Sequence, residues 1–277
     1  MLGRLVGGGF DRSAGRYDAA TKLGTGPRNS QIQPRQSTIA TRMNPARIAE
    51  LLQPFLAPTH DQRLTANNLQ TISTYIDLLL RWNTRINLTA IREPEEIVTR
   101  HFGESLFAAT HLFPRSAPSA VPSERSSGVA ANDRGSTINH RVVDVGSGAG
   151  FPGLPIKIWA PQIHLTLIES NQKKATFLRE VVRTLTLTDI NVFSKRAEDY
   201  LPGQADTVTL RAVENFQAIL PAATRLLSPT GRLALLIGEA QQPATHALTP
   251  DFKWQSPIQI PQSSNRILLV GSRNQNS

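Results

Sequence analysis

The sequence has no cysteine in its 277 residues. That excludes disulfides, a thiolate nucleophile and any thiolate-ligated metal. No apolar run reaches the roughly 18 residues that a membrane-spanning helix needs, so no membrane span is expected. The six histidines (His60, His101, His111, His140, His164 and His246) show no HxxxH or HxH spacing, and no zinc or other metal site is expected. Methionine occurs only as Met1 and Met43. Acidic residues are the scarcer charge, 21 against 30 Lys and Arg, giving a net +9 and a pI near 10.6. A basic surplus is the footprint of a polyanion binder. It is unevenly spread: residues 1–42 carry +5 and residues 43–277 only +4. The folded part is therefore mildly basic, and charge alone does not establish RNA binding.

What is present suggests one α/β domain with additions, or two small domains: 39% of residues are hydrophobic and 18% charged. Residues 1–42 mix Gly7-Gly8-Gly9, scattered arginines and polar residues with no hydrophobic period, and read as a disordered basic extension. Met43, directly before the amphipathic NPARIAELLQPFL, is a candidate true start; an Arg-rich transit segment is the other reading. Residues 43–113 read as a helical region. Its helices are expected around Ile48–Leu56, from Ala66 to Trp82, and from Pro94 through His101 and Leu106. Residues 114–140, rich in Ser, Pro, Ala and Gly, read as a low-complexity insertion. From 141 to 277, strand and helix patterns alternate. Strands are expected at 141–146, 163–169, 190–194, 206–211, 231–237, 252–258 and 266–272, with a helix at 171–186. Such alternation implies a mostly parallel seven-stranded sheet with helices on both faces and an N-terminal helical extension.

The segment VVDVGSGAGFPG, residues 142–153, carries the most chemical information. β-Branched residues suit a buried strand. Gly146, Gly148 and Gly150 then alternate through a turn where positive φ and close ligand approach favour glycine. Asp144 ends this strand and Glu169 closes the next (IHLTLIES, 163–170). A strand, a glycine turn, a helix and a second strand ending in an acid form a nucleoside-binding half-site, the second acid accepting ribose hydroxyl protons. The spacing GSGAG is not GxGxxG, and no Lys-Ser/Thr follows, so neither a dinucleotide pyrophosphate site nor a P-loop is indicated. Two readings remain: an ordinary tight βα turn, or a site for an adenosine-bearing ligand without a pyrophosphate, such as S-adenosylmethionine.

The stretch RWNTRINLTAIREPEEIVTRHFGESL (81–106) narrows the choice. VVDVGSGAGFPGLPIKI, LIESNQKKATFLREV (167–181), SKRAEDY (194–200) and the pair Arg211-Ala212 follow it in order. Together they resemble the small-subunit ribosomal RNA guanine-N7 methyltransferases, also called glucose-inhibited division protein B, over about residues 45–272. The resemblance implies a class I, Rossmann-like methyltransferase fold and S-adenosylmethionine as cofactor. It implies 16S ribosomal RNA in the small subunit as partner, methylated at one guanine N7. It places Gly146 and Phe151 beside the methionine and adenosine parts of the cofactor, with Gly148 and Gly150 in the same turn. Ala197 and Glu198 lie along the adenine edge, Glu169 takes the ribose-acid position, and Arg211 sits beside the cofactor and the incoming base. Such an enzyme is expected to be a cytoplasmic monomer. The sequence departs from the family at Glu104, where Asp is usual, and at Ile237, where a lysine commonly precedes the glycine; the insertion at 114–140 is also long.

Attack by N7 uses a lone pair already in the base plane. No proton leaves first, so no general base is required, and alignment alone contributes on the order of 7–11 kcal/mol. Arg211 fits two roles: donating to guanine O6, or pairing with Asp144 or Glu169. His101 and Glu104, three apart on a helix, fit an RNA or cofactor contact, or a packed histidine tying the helical region to the sheet. Trp82 and Asn83 read as structural. Lys173 and Lys174 in the first turn of a helix oppose its dipole, which suggests a polyanion contact or a merely solvated face. Arg81, Arg85, Arg92 and Arg100 form a candidate RNA-facing strip. The rival readings are a methyltransferase of the same fold acting on a protein or small molecule, and a non-catalytic RNA-binding module with a vestigial nucleoside site.

Overall fold

The computed structural model describes residues 42–56, 64–115, 139–211 and 215–274. The N-terminal extension up to residue 41 and the body of the insertion, 116–138, lie outside the described residues, and so do the readings attached to them. Five parallel strands form the heart of the sheet: β1 (Arg141–Val145), β2 (His164–Ile168), β3 (Ile190–Phe193), β4 (Ala205–Arg211) and β5 (Leu227–Gly238). β8 (Arg266–Arg273) runs antiparallel to β5 and is itself paired by β6 (Phe252–Trp254) and β7 (Ile258–Gln259). The order is β3-β2-β1-β4-β5-β8-β6. Because side chains alternate across a strand, Val142, Ala234, Leu236, Leu268 and Val270 pack into one core while Val143, Leu233, Leu235, Ile267 and Leu269 pack into the other. Both faces of the sheet are covered, as parallel strands require.

The expected strand at 252–258 is two strands. Trp254 pairs with Gly271, and Ile258 with Leu268. Four steps along one side thus match three along the other, so one extra residue is accommodated around Pro257, which has no N–H to give the ladder. This split gives the sheet eight strands rather than seven.

In the helical region, α1 (Pro45–Leu52), α2 (Ala66–Asn83) and α4 (Glu104–Leu112) pack into the same core as α5 (Gly153–Trp159) and α6 (Gln172–Thr184), while the short α3 (Pro94–Glu96) buries no residue. α7 (Phe216–Leu226) packs into the other core, and α8 (Gln242–Leu248) follows β5. α2 opens on a capping box in which the Thr65 side chain and Asn68 satisfy each other's backbone N–H. Between α3 and α4 the chain is π-helical over Ile97–Gly103. Such wide turns concentrate at functional sites, and this one carries Arg100 and His101. Gly103 is required there, because a Cβ would stand 2.7 Å from the Phe55 ring. The sheet order reverses at β1, between β2 and β4, which is where open α/β sheets bind ligands, at the carboxyl ends of the strands.

Candidate active site

The glycine turn leaves β1 with Gly146, Gly148 and Gly150 all at positive φ, 69°, 56° and 89°. Gly146 N and Ser147 N donate to Ile168 O at the end of β2. The two glycines further along do different work. A Cβ on Gly150 would stand 2.3 Å from the Tyr75 hydroxyl, so this position is closed by packing. A Cβ on Gly148 would meet nothing nearer than 3.8 Å, so here bare backbone faces open space. Asp144, at the end of β1, is fully buried and accepts from Thr209 Oγ1 at 2.8 Å and from Gly153 N at 3.2 Å. Burial raises its pKa to about 6 against the lowering effect of these hydrogen bonds. It anchors the turn and lines neither cavity.

Glu169 is held at the joint. Its Oε2 accepts from Gly148 N at 2.9 Å and its Oε1 from Asn171 N at 2.7 Å. Each oxygen keeps a second lone pair. Asn171 in turn caps α6, its side chain accepting from Lys173 N and Lys174 N. The cap satisfies the first-turn donors where the two lysines sit.

Two cavities meet at Gly146, Glu169 and Ser170. The larger, about 430 Å³, is lined by Gly148, Phe151 and Lys174 together with Thr89, His101 and Arg211. The smaller, about 220 Å³, is bounded by Lys195, Arg196, Ala197 and Glu198. Phe151 and His101, which line the larger cavity, belong to one aromatic cluster. Tyr75 lies parallel to Phe151 at 5.5 Å, His101 stacks on Phe151 at 4.7 Å, and Phe102 meets both Tyr75 and Phe151 edge-on. The Tyr75 hydroxyl donates to Ala149 O at 2.5 Å, and burial holds its pKa well above the usual value.

Arg211, at the end of β4, pairs with neither Asp144 nor Glu169. Its Nε and Nη2 donate to Glu104 Oε2 at 3.2 and 3.0 Å, and Nη2 also donates to Arg100 O at 2.7 Å. Glu104 is 1% exposed and takes Arg100 on its other oxygen and Arg266 on Oε2. Buried carboxylates persist where guanidinium donors fill their lone pairs. The longer side chain at position 104 is thus the hub of three arginines drawn from three elements. Arg211 Nη1 reaches His101 Nδ1 at 3.1 Å. Desolvation first, then the charges of Arg211, Arg100 and Arg266, push the His101 pKa down to about 3.

Of the residues singled out in the sequence, Gly146, Gly148, Phe151, Glu169, His101, Lys174 and Arg211 line the larger cavity, and Ala197 and Glu198 the smaller. Gly150 supports the turn from behind. Trp82 packs edge-on against Phe177, and Asn83 is buried with its amide on the 88–89 backbone. Arg81, Arg85, Arg92 and Lys173 are exposed away from the cavity lining, whereas Arg100 turns its guanidinium to Glu104 and His101 is inside rather than on the surface. Sequence reasoning gave no role to Thr89, although it lies in the 81–106 stretch, and missed Arg266 and Tyr75, which carried no motif. Asn171, a capping residue directly before an amphipathic run, was findable.

Strand order, glycine turn and the acid closing β2 define a class I, Rossmann-like methyltransferase architecture. The family model described as rRNA small subunit methyltransferase G matches residues 68–117 and 129–266. The chain is 37% identical over 233 residues to the ribosomal RNA small subunit methyltransferase G of Roseiflexus castenholzii, covering 80% of this chain and 89% of that protein. It is 33% identical over 203 residues to the protein of that name from Xanthomonas campestris pv. campestris, covering 72% and 84%. The chain belongs to the rRNA small subunit methyltransferase G family.

Proposed function

We propose that this chain transfers a methyl group from S-adenosylmethionine to N7 of one guanine in 16S ribosomal RNA. The observation that carries the reading is Glu169. Its carboxylate is fixed by two backbone N–H groups at the joint of two cavities, with one lone pair per oxygen still to give. Two free acceptors on a rigid carboxylate suit the vicinal hydroxyls of a ribose. The bare Gly148 backbone beside it admits close approach of a ligand. Ala197 and Glu198 would border the adenine, and Gly146 and Phe151 the sugar and methionine parts. When bound, the cofactor supplies an electrophilic sulfonium methyl. Arg211, one N–H of which has no partner among the described residues, would orient the base. The chain contributes alignment and exclusion of water, and none of the residues here is asked to take a proton. No helix among the described residues is long and apolar enough to cross a membrane. In this reading the protein works in the cytoplasm as a monomer on the small ribosomal subunit.

The test is to methylate small subunits from cells lacking this gene with radiolabelled S-adenosylmethionine, then map the label by nuclease digestion and mass spectrometry. A single 7-methylguanosine in 16S RNA is expected. Label on a protein, or none with the cofactor still bound, would overturn it.

A further inference from the structure

Arginine has no acceptor, so the 3.1 Å contact between Arg211 Nη1 and His101 Nδ1 is a bond in which arginine donates. Nδ1 is therefore unprotonated and the ring proton sits on Nε2. Nε2 lies 2.8 Å from Thr89 Oγ1, and its N–H donates to that oxygen. The backbone N–H of Ile91 donates to the same oxygen at 3.1 Å. Both lone pairs of the Thr89 hydroxyl are then filled and only its hydrogen is left to offer. The depressed His101 pKa keeps the ring in this neutral form. Arg211 is in the same position: four of its five N–H groups are engaged and the fifth, on Nη1, is free among the described residues. Thr89 and Arg211 both line the larger cavity. This wall can donate hydrogen bonds and cannot accept them.

We propose that Thr89 is a specificity-determining residue that donates to O6 of the target guanine, with His101 and Arg211 as positioning residues that hold it as a donor. The inference rests on the guanine-N7 reading above. Guanine presents an acceptor, O6, beside N7, whereas adenine presents an amino group there. A donor-only wall accepts the first and leaves the second facing unpaired hydrogen. The cofactor carboxylate is the other acceptor the cavity would see. Lys174 answers that charge better, since it lines the same cavity and makes no ion pair among the described residues, while the charge of Arg211 is already met by Glu104.

The experiment compares wild type, Thr89→Val and Thr89→Ser on subunits carrying either guanine or 2-aminopurine, which keeps N7 but lacks O6, at the methylated position. Wild type is expected to lose about 10- to 100-fold in kcat/KM on 2-aminopurine, the range for leaving a buried donor unpaired. Thr89→Val should lose a similar factor on guanine and distinguish the two bases by no more than about threefold, the signature of a coupled pair. Thr89→Ser should recover most of that loss. Binding of S-adenosylmethionine by titration calorimetry should be nearly unmoved in both variants, while Thr89→Val melts lower than Thr89→Ser because the His101 Nε2–H and the Ile91 N–H lose their acceptor. Full discrimination retained by Thr89→Val overturns the assignment. So does a drop in cofactor affinity equal to the drop in activity, which would give the hydroxyl to the cofactor. If wild type places no methyl on guanine N7, the function itself falls, and the wild-type arm alone shows it.

Discussion

His101 carries an acid-sensitive part of the stability. Its folded pKa is depressed from 6.5 to about 3, so between those values the unfolded chain binds a proton that the folded chain refuses. Stability from this residue is complete above about pH 6.5 and is lost as the pH falls toward 3. Asp144 works the other way: burial raises its pKa to about 6, so the folded state binds the extra proton between the usual carboxylate value and 6. The two partly cancel in wild type between pH 4 and 6, and only a comparison isolates the histidine. His101→Gln is expected to be less stable than wild type at pH 7 and to recover about 2 kcal/mol of that deficit at pH 5. Urea melts of both proteins at the two pH values check this; a deficit that does not change with pH would mean His101 titrates normally. At this scale the sequence exposed the residues that touch backbone-directed motifs, Gly146, Gly148 and Glu169. It did not expose the partner of Arg211, because Glu104 lies more than a hundred residues away and pairs through tertiary packing alone.

The segment between α2 and α3 delivers Thr89 to the cavity, and Asn83 fixes its course. The Asn83 side chain accepts from Leu88 N and Thr89 N and donates to Thr89 O, at 2.9, 3.1 and 2.9 Å. A short polar residue at the end of a helix thus supplies partners for three backbone groups, on the residues five and six positions further on. Asn83→Ala should cost about 2–3 kcal/mol by leaving these groups unpaired, read as a lower urea midpoint at unchanged slope. It should also lower methylation more than cofactor binding, because Thr89 shifts while Gly148 and Glu169 stay. Equal losses in both would place the loop under the cofactor instead. The elements themselves were legible where one strong local signal governed them. The apolar stripe of α2 and the glycine turn are of this kind. The division of 252–258 was signalled by Pro257 and passed over. The π-helical turn at Ile97–Gly103 had no local signature; the contacts made there, the Phe55 ring against Gly103 and Arg211 on the Arg100 carbonyl, come from residues distant in the chain.

Across the whole molecule, charge sorts by whether it has a partner. Arg47 is half-buried, both Glu50 and Glu95 hold it, and these bonds raise its pKa further. Arg85 and Lys173 are exposed with no ion pair among the described residues. Alternation of strand and helix made the α/β class legible, while the insertion of antiparallel β8 between β5 and β6 depends on pairing across the fold that no local pattern encodes. The same limit applies to the basic strip, which the sequence drew as four arginines on the helical region. Arg100 spends its charge on Glu104, leaving Arg81, Arg85 and Arg92 exposed there, with Lys173 on α6. A cation that neutralises a phosphate releases a counterion, so its removal should weaken RNA binding and reduce the slope of log affinity against log salt by about one. Arg85→Ala and Lys173→Ala are each expected to do so, measured by titrating small-subunit RNA at several salt concentrations. Arg47→Ala should leave the slope unchanged, because its charge is already committed to two carboxylates. An unchanged slope for Arg85→Ala or Lys173→Ala removes that residue from the RNA-facing surface. A reduced slope for Arg47→Ala would move that surface to α1.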